Sequence, residues 1–236
     1  MESIMLPQAS LFLGVIPALI VLYYSLKEYE GLYKDKTIFL TFVLGIVIGF
    51  VAAFVQSLTF FSLLSIVLIC LFDQLLKTII LNIGRFQQKI ETPIYGLCLG
   101  LGFGSSFTPF YIIAFSRLIT TQSTILILVA IGSFGIILFH GATGAYIGYG
   151  IYAGKLFKYL IKAILFQIPL NFLIGLLIIT AHPADVAITS ILVFSIILYG
   201  AIIFGYVFKK IIPQILSKTI RRKKASIKTK AKQANQ

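Results

Sequence analysis

Charge is what this chain has least of. Only 11% of its 236 residues are Asp, Glu, Lys or Arg, whereas soluble domains carry about 25%. With 59% hydrophobic residues and a mean hydropathy of +1.02, a water-facing fold around a single core is excluded. The bilayer must be the solvent for most of the surface. Cysteine is nearly absent as well. Cys70 and Cys98 both lie in apolar runs, without metal-ligand spacing and without the numbers for a disulfide framework. They read as small buried apolar residues. The start, "MESIMLPQASLFLGVIPALIVLYYSLK", lacks the basic opening and the small-residue cleavage site of a signal peptide, so it is expected to stay as a first span. No ATP-binding loop and no inverted repeat are evident, which weakens a transporter reading.

Long hydrophobic runs fill the space that charge leaves. A helical crossing needs about 20 apolar residues. Windows near 8–26, 37–56, 58–82, 94–116, 123–152, 163–180 and 186–208 satisfy this. They lack the short alternating pattern of barrel strands, so the expected class is all-α, with seven transmembrane helices over 1–208. The basic residues set the orientation. If the seven spans alternate, every Lys and Arg except Arg117 falls on one side, including the ten from Lys209 onward. The N-terminus is therefore expected outside and the C-terminus in the cytoplasm of a multi-pass plasma-membrane protein. Residues 209–236 lose apolar periodicity after Ile220 and should form a solvated basic tail. There Arg221, Arg222, Lys223 and Lys224 are the candidates for contact with anionic lipids, or with the ribosome or another acidic partner. Net charge +13 is thus read as topology, with no specific DNA binding expected.

Within the spans, a few polar residues stand out. Asp73 sits in "SLLSIVLICLFDQLLKTII", where a carboxylate costs about 2.5–3.5 kcal/mol on insertion scales. Lys77 lies one turn on, so the simplest expectation is a local pair, with the Lys77 ammonium snorkelling to the cytoplasmic surface. Other polar groups reach similar depth: His140 in the fifth span, Gln167 and Asn171 in the sixth, and Ser105, Ser106 and Thr108 in the fourth. Pro109 should kink the fourth span, and Pro169 should free the carbonyl of Leu165 in the sixth. One internal cluster explains this better than scattered lipid-facing accidents, and a network that serves packing alone also fits. Glycines at four-residue spacing (Gly96, Gly100 and Gly104; Gly144 and Gly148; Gly150 and Gly154) predict close helix contacts.

The segments "DQLLKTIIL", "YGLCLGLGFGSSFTPFYI" and "HGATGAYIGYGIYAG" resemble, in order and spacing, the motifs of PrsW-type intramembrane proteases, relatives of the CAAX prenyl endopeptidases. The resemblance covers about residues 60–175. It places Asp73, Gln74 and Lys77 on the family's two glutamates and lysine. Phe103, Phe107, Thr108 and Tyr111 fall on its phenylalanine, glutamate, asparagine and tyrosine. His140 matches its histidine, and Gln167 and Asn171 match its histidine–asparagine pair. In such a family a glutamate acts as general base, aided by histidines that hold a metal or stabilise the oxyanion. Here the chemistry is depleted. Asp73 and His140 are the candidates for a catalytic pair, Gln167 is a poor ligand, Phe107 is none, and His182 lies in an outer loop. Asp is one methylene shorter than Glu, which misplaces its carboxylate by roughly 1 Å.

The leading expectation is a PrsW-like scaffold without proteolysis, binding transmembrane segments of partner proteins, with no cofactor. An active endopeptidase that uses Asp73, His140 and zinc is the enzymatic alternative. A small-molecule or proton-coupled carrier with Asp73 and His140 as relay is a third reading.

Overall fold

The computed structural model describes residues 5–31, 33–59, 62–84, 86–87, 89–118, 123–180 and 186–214. They form eight α-helices: α1 (Met5–Leu26), α2 (Asp35–Ser57), α3 (Leu63–Leu81), α4 (Thr92–Ser105), α5 (Phe107–Leu118), α6 (Ser123–Tyr152), α7 (Leu156–Thr180) and α8 (Val186–Lys210). No strand occurs among the described residues. Among the described residues, five stretches are long and apolar enough to cross a membrane: α2, α3, α7, Ala130–Tyr152 of α6, and Val186–Gln214. This is a helical membrane protein. The part of α1 from Ser10 to Leu26 is apolar but shorter.

Two helices form the centre. Every residue of α4 is buried, and 83% of Ala130–Tyr152 in α6 is buried, against 28–39% in the other candidate spans. Around them, α1 and α2 pack on α4, α8 packs on α6, and α3 and α7 pair with each other and rest on α6. Backbone proximity explains the two-helix centre. A Cβ on Gly100 would stand 2.0 Å from the His140 carbonyl oxygen, and one on Gly144 2.1 Å from that of Gly96. Only hydrogen atoms fit between these backbones, the arrangement expected where apolar helices associate in lipid without a hydrophobic driving force.

The outer helices invert the soluble pattern, and α3 states this most clearly. Its buried face is Ile66, Cys70, Asp73, Gln74, Lys77, Thr78 and Leu81, at helical spacing. Its exposed face carries Leu63, Leu64, Val67, Leu68, Leu71, Leu75 and Ile79. Polar groups turn inward because lipid offers them no hydrogen bonds, and apolar groups face out at no cost. Ser62 opens the helix with a reciprocal cap: its hydroxyl accepts from the Ser65 N–H at 3.1 Å and the Ser65 hydroxyl accepts from the Ser62 N–H at 2.8 Å.

Three expectations need correcting here. The single fourth span is two helices, broken at Ser106. Pro109 has no N–H for the Ser105 carbonyl and its ring crowds that oxygen, so the helix stops and restarts. The sixth span begins at Leu156, so Lys158 and Lys162 ride on the first turns of α7 instead of its preceding loop. Gly150 and Gly154 are no packing pair. Gly154 has φ +66° and ends α6, where the Lys155 N–H reaches the Gly150 carbonyl at 2.8 Å. Gly154→Ala is therefore expected to lower stability by about 1–2 kcal/mol, read as a drop in melting temperature in detergent. An unchanged melt would contradict the strain.

Candidate functional site

The interior polar residues lie where α3 meets α2, α6 and α7. The inward face of α3 sets the register: residues 70, 73, 74 and 77 are neighbours on a 3.6-residue helix. The Asp73 carboxylate is fully buried, and its Oδ2 accepts from Gln167 Nε2 of α7 at 2.6 Å and from Gln56 Nε2 of α2 at 3.0 Å. Gln167 Oε1 in turn accepts from Gln74 Nε2. Four side chains from three helices thus form one hydrogen-bonded chain ending on the carboxylate.

Lys77 belongs to a second branch. It is fully buried, so the expected snorkelling is wrong: Nζ donates to Thr143 Oγ1 at 2.9 Å and lies 3.2 Å from His140 Nδ1. The expected Asp73–Lys77 contact pair is wrong too, because both ends find partners on other helices. The Lys77 ammonium also sits 5.1 Å from the centre of the Phe103 ring, within cation–π range. An ammonium carries donors only, so a charged Lys77 requires His140 Nδ1 to accept, with the ring proton on Nε2. The imidazole is enclosed by rings, with Phe107 stacked on it at 5.3 Å and 10° and Phe103 at 4.8 Å and 56°.

Beside this network lies a cavity of about 240 Å³ between α2, α3, α5 and α7. Its wall is mostly apolar (Ile66, Phe110 and Ile174 among others), and Gln56, Tyr111 and Asn171 supply polar groups. Exposed Ser57 and Thr59 stand at its edge.

Of the positions singled out by the sequence, Asp73, Gln74, Lys77, Phe107, His140 and Gln167 come together. Asn171 stands apart from the carboxylate: its Nδ2 donates to Cys70 Sγ at 3.3 Å and it faces the cavity. Thr108 is buried but turned toward Gly14 of α1, and its hydroxyl has no partner among the described residues. Ser105 and Ser106 bond to the carbonyls of Gly102 and Ile46, at 2.7 and 2.8 Å, and take no part either. In α7, the Tyr199 hydroxyl of α8 donates to the Phe166 carbonyl at 2.7 Å, the neighbour of the one Pro169 was expected to free. His182 and Arg221, Arg222, Lys223 and Lys224 lie outside the described residues.

Two participants were missed. Gln56 closes a predicted span, where a polar residue reads as interfacial. Thr143 sits three residues after His140 in a glycine-rich run that reads as packing. In Gln56 the only available signal was its type, an amide still inside an apolar window.

Comparison with protein-family models, curated proteins and solved structures finds no match. The site must be read from its own chemistry.

That chemistry does not suit zinc. Among the described residues no three His, Cys, Asp or Glu side chains converge. His140 Nδ1 faces Lys77 Nζ, and Asp73 Oδ2 is covered by two amides. The imidazole faces aromatic rings where a metal or a water would need room. What the arrangement can do is hold α2, α3, α6 and α7 in one register, and offer buried acceptor oxygen beside a cavity.

Proposed function

We propose that this protein is a PrsW-like membrane scaffold that binds transmembrane segments of partner proteins and has no proteolytic chemistry. One observation carries the reading. Six positions of that family's motifs (Asp73, Gln74, Lys77, Phe107, His140 and Gln167) gather at one interior place, yet Phe107, at the glutamate position, lies flat on His140, and Lys77 closes its Nδ1. A general base must reach its water within about 3 Å. Here Asp73 Oδ2 is covered by two amides and His140 is closed by Lys77 and Phe107, and a lined cavity remains beside them. Uncharged Gln74 and Gln167 keep hydrogen bonds while lowering the cost of polar burial.

The same proposal takes seven crossings, with α4 and α5 together as one. Their 27 residues span roughly 40 Å at 1.5 Å per residue, sufficient for a bilayer core despite the break. The N-terminus is then outside, and Lys27, Lys34, Lys155, Lys158 and Lys209 face the cytoplasm of the plasma membrane. The cavity edge at Ser57 faces the other side. The basic residues from Lys209 onward then lie at an anionic cytoplasmic surface.

The test combines two measurements on the full chain in nanodiscs. A photo-crosslinking residue at Ser57 is expected to trap an added transmembrane peptide, and the Gly175→Phe variant, which fills the cavity wall, should lose it. A reporter helix should remain uncleaved with and without zinc. Zinc-stimulated cleavage abolished by His140→Ala would overturn the proposal in favour of an active endopeptidase.

A further inference from the structure

The hydrogen-bonded chain has a direction, and the direction leaves two oxygens bare. A carboxylate only accepts, so Gln56 and Gln167 must both turn their NH2 groups to Asp73. Gln167 then offers oxygen to Gln74, which spends its own NH2 there. What remains is Gln74 Oε1 and Asp73 Oδ1, both buried and both without a hydrogen-bond partner among the described residues. Both residues are 0% exposed. A buried polar atom left unpaired is costly, the more so when charged. The two atoms of this network left with no partner at all are both acceptors.

The position of these atoms points to what meets the demand. Gln56 is at once a donor to Asp73 and part of the cavity wall, so it joins the carboxylate's hydrogen-bonded shell to the cavity. At about 240 Å³ the cavity is smaller than the roughly 300–1,000 Å³ of small-molecule pockets. It admits one or two side chains, not a helix or a drug-sized ligand. Lys77 lies one turn from Asp73 on the same buried face, so a second cation is disfavoured. A carboxylate would set acceptor against acceptor.

We infer that the transmembrane segments this scaffold takes carry a neutral hydrogen-bond donor, an amide or hydroxyl side chain. This donor enters beside Gln56 and bonds the open oxygen of Asp73. The inference rests on the scaffold reading and names the partner's chemistry. In lipid such a contact is worth about tenfold in association.

The test uses the full chain in vesicles and three labelled host peptides of alternating Leu and Ala. They bear Asn, Leu or Glu at the central position, at peptide densities where they do not self-associate. Energy transfer should report the Asn peptide bound about tenfold more tightly than the Leu peptide, and the Glu peptide, at a pH that keeps its side chain ionised, no better than Leu. Asp73→Leu should erase the Asn preference. Gln56→Ala, which removes the resident donor and widens the entry, should enlarge it, so the inference stays testable if Asp73→Leu fails to fold. Asn and Leu peptides bound within twofold of each other, or a preference unmoved by Gln56→Ala, overturns the inference and leaves the scaffold reading standing. No association of any peptide overturns both.

Discussion

Replacing Gly100 by leucine is expected to abolish the native fold, and Gly144→Leu to do the same. At Gly100 even a methyl group would lie 2.0 Å from the His140 carbonyl oxygen, and at Gly144 2.1 Å from that of Gly96. The obstacle in each case is backbone, which cannot rotate aside as a side chain does. Helices α4 and α6 would have to separate along their shared length, and with them the surfaces on which α2 and α8 rest. Overpacking a well-filled core costs about 1–3 kcal/mol for extra methylenes. A leucine against backbone exceeds that, in proteins whose net stability is about 5–15 kcal/mol. Loss of a monodisperse peak on size exclusion, and of a cooperative melt, would be the readout. Gly205→Ala supplies the control. It sits within α8 with nothing inside 4 Å of its Cβ position, and the expected change is neutral or slightly stabilising. Equal damage from Gly100→Ala and Gly205→Ala would remove close backbone contact as the explanation.

The second large effect concerns the two opposite charges on the inner face of α3. Asp73→Leu strands the amide donors of Gln56 and Gln167 and leaves Lys77 without a compensating anion one turn away. Lys77→Met strands His140 Nδ1 and leaves the Asp73 carboxylate alone in a medium without water. Removing one of two opposite buried charges is strongly destabilising because the other is left uncompensated, whereas replacing both by apolar groups of similar size is often close to neutral. The double variant Asp73→Leu/Lys77→Met is therefore expected to be more stable than the sum of the singles predicts, by about 0.5–3 kcal/mol of coupling. Reversible unfolding in mixed micelles measures all three. Strict additivity would mean that the two residues act through separate neighbours alone, without a shared electrostatic term. A double variant of near-native stability that no longer crosslinks a transmembrane peptide would separate the cost of this site from its use.

Much of the site could be read from spacing. Asp73, Gln74 and Lys77 share one helical face at any rotation of α3, and lipid forces that face inward. The depth of His140 and Gln167 within their apolar windows placed them at a level where α3 could meet them. Spacing failed where the partner mattered. Lys77 could reach Asp73, or the surface, or another helix, and only the position of Thr143 and His140 on α6 decides among these. Thr108 has the right depth but belongs to α5, whose restart after Ser106 turns it toward α1.

Composition and periodicity alone established an all-helical membrane chain, the approximate place of each apolar helix, and the inward face of α3. These depend on hydropathy and on the 3.6-residue repeat, both local to the chain. The tertiary structure decided that α4 and α6 are the centre, that Gln56 completes the carboxylate's shell, that Phe107 closes over the imidazole, and that two acceptor oxygens face no donor. Those facts depend on how far each helix is rotated and how near its backbone approaches the next. A carbonyl meeting a glycine on another helix fixes both quantities, and the pairing is not written in either segment by itself.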